Sequence, residues 1–323
     1  MYIKTNEGLG QATAFRHYSL GDAASSREAD KRFKRVAALV TLGLKTARDA
    51  IPQLSTVGQR ELLSFMTSLL ENNFFPRGHG LIDAQGKGLA QSQKAIIRVP
   101  VIAANGSPWS FEYSTRLFLS DQIPDREKRG DHMTGNFSSI RLFTRKLHAT
   151  TPSEAFLVAL HEMTHMIFAM IRKFEHWLGT IGAEGATRFL SRQPWRLFVL
   201  SGFDAHRERL ERHVRDLLRV LPFPMQAAEL AASLVEEAFA FILGDIVAEA
   251  MARAAHARKR KRGPAILASK AFSPEQFVTH YVVERGFNIT TAQLKSSAAQ
   301  QIFQRMTGDV DALAAALRTH LGG

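Results

Sequence analysis

Apolar residues recur at helical spacing along most of this chain, and the two-residue alternation of a β-strand is confined to one short section. After a polar segment at residues 1–28, read as loosely ordered, helical patterns cover about 30–48 and 56–73. The second carries Leu62, Leu63, Phe65, Met66, Leu69 and Leu70, and Pro76, Gly78 and Gly80 close it. Strand patterns follow at 94–103 (KAIIRVPVIA) and 110–120 (SFEYSTRLFLS), flanking Asn105-Gly106, a pair suited to a tight hairpin turn. A loop with Pro124, Asp125, Gly130, Asp131 and Gly135 then leads to a short strand, SSIRLF (138–143). From 152 the pattern is helical almost to the end, with breaks expected at Gly179, Gly182, Gly185, Pro194, Pro222, Pro224, Gly263-Pro264, Gly286 and Gly308. The pattern predicts an α+β protein, mainly helical, with a small mixed sheet.

The clearest helix announces its own start. Thr151 is placed as N-cap, Pro152 at the first helical position and Glu154 at the third, completing a capping box. Its apolar stripe runs through Phe156, Leu157, Leu160, Ile167, Phe168 and Ile171, and Gly179 is the expected stop. Inside the stripe lies ALHEMTHMI (159–167), two histidines and a glutamate among groups that exclude water. His161 and His165 are four apart, so they share a face, about 40° apart around the axis. That spacing lets both imidazoles reach one Zn²⁺ at roughly 2.0–2.1 Å. Glu162 is turned by about 100° from His161, placed to reach a metal-bound water without ligating the metal. Zinc lowers the pKa of such a water from about 15.7 towards 7, which makes Glu162 a candidate general base.

With HEMTH in that context, the chain resembles the zincin superfamily of metallopeptidases over about 90–250. The resemblance implies one zincin-like domain at 29–323. In it, helices and a small sheet (29–150) precede a zinc helix and a glutamate helix (151–262), with C-terminal helices (263–323) after them. It also implies that an edge strand, here 138–143, binds extended peptide by strand addition. The metzincin pattern fails, because Phe168 and Ile171 occupy the positions of its Gly and third His. A third ligand is better sought in AAELAASLVEEAFAFILGDIVAEAMA (227–252), a long apolar helix whose central Glu236 and Glu237 need partners. The run Glu237-Ala238-Phe239-Ala240 resembles the glutamate helix of gluzincin-like peptidases, which points to Glu237, with Glu236 as the alternate. Asp245, two turns on, is a candidate to orient a zinc histidine. The family's oxyanion stabiliser is sought at Tyr281, next to His280. Asp204 reads as a helix N-cap, and His176, His206 and His213 as surface residues. The activity implied is zinc-dependent peptide-bond hydrolysis.

Composition narrows the chemistry. There is no cysteine among 323 residues, so any metal must be held by His, Asp or Glu. The net charge of +12 favours an anionic partner, and Arg258-Lys259-Arg260-Lys261-Arg262 is the candidate contact, although the run also suits the negative end of a helix dipole. No Sec-type signal is read at the N-terminus, and no run is read as reaching the roughly 18 apolar residues of a membrane span. The expectation is a cytoplasmic protein or one exported by a non-Sec route. Two rival readings follow from charge and termini: a protease of nucleic-acid-bound proteins, and a delivered bacterial effector or toxin whose fold serves mainly binding. The zinc-ribbon tail of SprT-like relatives, which the first would resemble, needs cysteines that are missing here.

Overall fold

The computed structural model describes residues 23–54, 56–70, 93–102, 106–121, 129–133, 138–181, 203–221, 227–259, 273–284 and 291–320. The protein is mainly helical with one small mixed sheet. Helices α1 (Ala23–Ala50) and α2 (Val57–Leu69) come first, followed by strands β1 (Gln93–Ile102), β2 (Pro108–Ser120), β3 (Gly130–Met133) and β4 (Ser138–Phe143). The helices after the sheet are the short α3 (Thr144–Leu147), α4 (Pro152–Ile181), α5 (Phe203–Val220), α6 (Ala227–Lys259), α7 (Pro274–Glu284), the short α8 (Thr291–Leu294) and α9 (Ser297–His320).

Helix α4 organises the rest. Its capping box forms as the sequence predicts: Glu154 N–H donates to Thr151 Oγ1 at 3.2 Å, and Thr151 N–H donates to Glu154 Oε2 at 2.9 Å. One face packs on β2, β3 and β4, and others meet α1 and α6. Phe156, Leu160, Met163 and Ile167 are buried in one core with Leu117, Leu119, Ile140 and Leu142 of the sheet. The crossing with α1 is very close. A Cβ on Gly43 would lie 2.1 Å from the Pro152 carbonyl oxygen and 2.6 Å from Phe156 Cβ, so only glycine fits there.

The sheet order is β1-β2-β4-β3, with β2 and β4 parallel and the outer pairs antiparallel. SSIRLF is therefore an interior strand, correcting its expected place at the edge. The edge beside it is β3, GDHM, which lies within what the sequence suggests is a loop. β3 is short and polar and lacks the alternation that marks a strand; its pairing with β4 creates it. The described β1–β2 pairing runs to Ile102↔Pro108; Gly106, at φ 79°, lies between the two strands, and Asn105 of the expected turn lies outside the described residues.

Other boundaries move as well. Residues 23–28 are helical, and residues 1–22 lie outside the described residues. Helices α4 and α9 run through Gly179 and Gly308, because an isolated glycine inside a packed helix costs only about 1 kcal/mol. Helix α5 opens at Phe203, one position before the expected cap Asp204. The basic run at 258–262 begins in the last turn of α6, and residues 260–262 lie outside the described residues. Contrary to the reading of the bare sequence, Pro152–Thr180 of α4 is long and apolar enough to cross a membrane. In the fold 72% of its apolar window is buried inside the protein.

Asp121 ties the end of the sheet to two helices. Its carboxylate accepts from Arg32 of α1 at 2.6 and 2.7 Å, from Thr144 Oγ1 at 2.6 Å and from Arg145 at 3.1 Å. Burial pushes this carboxyl up, but the hydrogen bonds from Arg32 and Thr144 outweigh it and hold the pKa below the ordinary value. Such a group stabilises the fold fully above its unfolded pKa of about 3.9, and the benefit fades as pH falls through the lower folded value. Asp121→Ala should cost about 3 kcal/mol near neutral pH by leaving Arg32 half-buried without its partner. Urea unfolding at about pH 7 and about pH 3 should show the gap from wild type narrowing at the lower value.

Candidate metal centre

Helices α4 and α6 cross with their polar residues facing one another, in an otherwise apolar contact. α4 brings His161 and His165, and α6 brings Glu236 and Glu237. The donor atoms of His161, His165 and Glu237 lie within 4.8 Å of one another, close enough to hold a metal ion. The spacing is informative. His161 Nε2 is 3.2 Å from His165 Nε2 and 3.2 Å from Glu237 Oε2, and His165 Nε2 is 3.5 Å from the same oxygen. Tetrahedral ligands at about 2.0–2.1 Å from a metal stand about 3.3 Å apart, so the triangle has the size of a metal-site face. Hydrogen bonds alone account for it less well, because two imidazole N–H groups aimed at one oxygen would crowd each other.

The two glutamates are now distinguishable. Glu237 Oε2 faces both Nε2 atoms, whereas Glu236 Oε2 lies 3.9 Å from the other ring nitrogen of His165, Nδ1. Glu236 also pairs with Arg172, which stands two turns beyond His165 on α4. Glu237 is held well below the usual carboxylate range. Burial acts against this, but hydrogen bonds from His161 and His165 prevail, the same sense of attraction that a cation would exert.

Glu162 is 7% exposed and sits beside the triad rather than in it. Burial is the main force pushing its carboxyl up to about 7; Glu237 and Asp131 add to that, and His161 and His165 oppose it. Strand β3 supplies its other wall. A Cβ on Gly130 would lie 2.9 Å from Glu162 Cγ and 3.0 Å from its Oε1, so a glycine there lets the strand approach the carboxylate. Two residues along, His132 stacks against His165 with ring centroids 6.5 Å apart, and its Nε2 is hydrogen-bonded to Ser138 Oγ. Burial first, then the charges of His165, Arg172 and Lys173, push the His132 pKa down to about 3, so its ring is neutral at physiological pH. Sequence marks Gly130 only as a loop residue and gives no signal for His132, because β3 lacks a strand pattern; Arg172 gives none because its partner Glu236 is 64 residues away.

The remaining candidates are placed differently. Tyr281 is buried, and its hydroxyl is hydrogen-bonded to Ser233, one turn before Glu237 on α6. Asp245 receives a hydrogen bond from Arg318 of α9 at 2.8 Å, so its carboxylate anchors the C-terminal helix. His206 is not a surface residue: it is 7% exposed, its Nδ1 accepts from Arg209 at 2.6 Å, and burial lowers its pKa. His213 is half-buried, 3.1 Å from Asp309, and His176 is exposed as expected. The side chain of His280 lies outside the described residues. No family description, curated protein or solved structure matches the chain.

The geometry orders the two glutamates by their effect on metal affinity. Glu237→Gln should give the larger loss, because it removes charge at a donor atom. Glu236→Gln should cost about 10- to 100-fold by loosening His165. Chelator competition with a series of divalent ions checks both, and equal losses would refute the ordering.

Proposed function

We propose that this protein is a zinc-dependent peptidase of the gluzincin-like kind, with His161, His165 and Glu237 holding the metal and Glu162 as general base. The observation that carries the reading is the donor triangle of 3.2, 3.2 and 3.5 Å with the buried carboxylate of Glu162 beside it. Two imidazoles and one carboxylate are a donor set suited to zinc, and three protein ligands rather than four are the mark of a catalytic site. When bound, zinc supplies Lewis acidity, polarising the scissile carbonyl and making a water acidic near neutral pH.

The residues divide the remaining work. Glu162 accepts the proton of the attacking water on its carboxylate and delivers it to the leaving amine nitrogen. Gly130 and the sheet wall behind it hold that carboxylate in place. The peptide is received along β3, next to Glu162, in place of the 138–143 strand named from sequence; among the described residues no strand pairs with its outer side, which suits strand addition. Tyr281 is buried with its hydroxyl bound to Ser233, so the oxyanion role sought there from sequence has no part in this proposal.

Glu162→Gln should keep the metal and lower peptide hydrolysis by about 10²- to 10⁴-fold, the usual worth of a positioned acid–base group. Metal content and cleavage of an unstructured protein substrate, measured on the same preparation, check this; undiminished cleavage would overturn the reading. Gly130→Ala should push Glu162 out of place and reduce activity with metal binding intact, which the same pair of measurements checks.

A further inference from the structure

The two sides of the donor triangle differ in chemistry. Beyond His165 stand Arg172, Glu236 and His132, a charged and polar side. Beyond His161 stands Phe241, its ring edge-on to the imidazole with centroids 4.7 Å apart. Phe241 follows Glu237 by one turn on α6, so both project from one face of the helix. Phe277 of α7 backs it at 5.7 Å, and Tyr281 backs Phe277 at 5.7 Å. This aromatic row is buried at its far end, where Phe277 is 8% and Tyr281 7% exposed, but open at the metal, where Phe241 is 48% exposed. Among the described residues only Leu42, Val57 and Trp109 are large apolar side chains of similar exposure. Helix α6 is otherwise well buried through Leu234, Val235, Phe239, Ile242 and Leu243, so its apolar surface is left uncovered at this point. Leaving a ring half in water forgoes part of the roughly 1.5–3 kcal/mol that burying it would yield.

We infer that Phe241, backed by Phe277, is a specificity-determining subsite that receives a large apolar side chain of the peptide next to the scissile bond, on the His161 side. The inference rests on the peptidase reading. A carbonyl placed at the donor triangle brings the residue on one side of it against the exposed ring and the residue on the other side towards Arg172 and His132. An aliphatic or aromatic side chain gains by covering Phe241, and a carboxylate or ammonium loses hydration without a partner. The enzyme thus reads one flanking residue by area and tolerates polar groups at the other.

The test walks a single Leu through an otherwise Ala- and Ser-containing peptide. Binding is measured on zinc-loaded Glu162→Gln protein, and cleavage on the zinc-loaded wild type. One Leu position should tighten binding and raise kcat/KM by about 10-fold or more over Ala. Phe241→Ala should reduce that preference, read as the Leu-to-Ala ratio within each variant, to within about threefold, and Phe241→Leu should restore much of it. Thermal unfolding and zinc content identify any variant that has lost its fold, and Phe241→Leu then carries the comparison with Phe241→Trp. A Leu preference absent from wild type, or unchanged when Phe241 is altered, overturns the inference. If Leu-dependent binding depends on Phe241 and no peptide is cleaved, the subsite stands and the hydrolase reading fails.

Discussion

Everything about this site follows from one electrostatic demand. Two imidazole nitrogens and a carboxylate oxygen are held about a hydrogen-bond length apart between two long helices whose other contacts exclude water. Donor atoms crowded in this way favour positive charge among them, whether ring protons or a bound cation. The apolar stripes of α4 and α6 fix where that charge sits, because any rotation of either helix would bury a charged group or expose part of the core. Side-chain packing and site geometry are therefore set together, and the sheet beneath α4 completes the arrangement by bringing Gly130 up to Glu162.

Much of this was legible in the chain, and the reasons differ by residue. The start of α4 could be read because capping is local: Thr151, Pro152 and Glu154 act within one turn of each other. His161, Glu162 and His165 could be read because their spacing fits the period of the helix that carries them. Glu237 needed more. Its neighbour Glu236 is equally improbable in an apolar helix; the resemblance to a glutamate helix favours Glu237, and the distances to the two rings set the pair apart. The sequence pattern also overstates the power of glycine, since Gly179 and Gly308 both lie within helices, where a lone glycine costs only about 1 kcal/mol.

The misread elements share a cause, which is dependence on partners far away in the chain. β3 is a strand only because β4 offers it a ladder, and its four residues show no alternation of their own. Missing it displaced the sheet edge by one strand and hid Gly130 and His132. Asp245 shares a helix face with Glu237, which suggests a role in orienting a zinc histidine, and the structure adds a partner that sequence does not show, Arg318, 73 residues on in the chain. His206 was read as exposed for want of any view of the helices that cover it. Fold class and the spacing of grouped donor residues are properties that short stretches can announce, whereas edges, backing residues and burial belong to the assembled tertiary structure.

The donor triangle has a further meaning in a chain without cysteine. His161 and His165 come from one helix and Glu237 from another, so an ion shared among them would fasten together two segments that chain connectivity leaves far apart. By mass action, whatever binds only the folded form also stabilises it. Such a staple would be blind to thiols and oxidants and would answer instead to the supply of free metal. Its resistance to unfolding would rise and fall with the metal content of its surroundings, whatever their redox state.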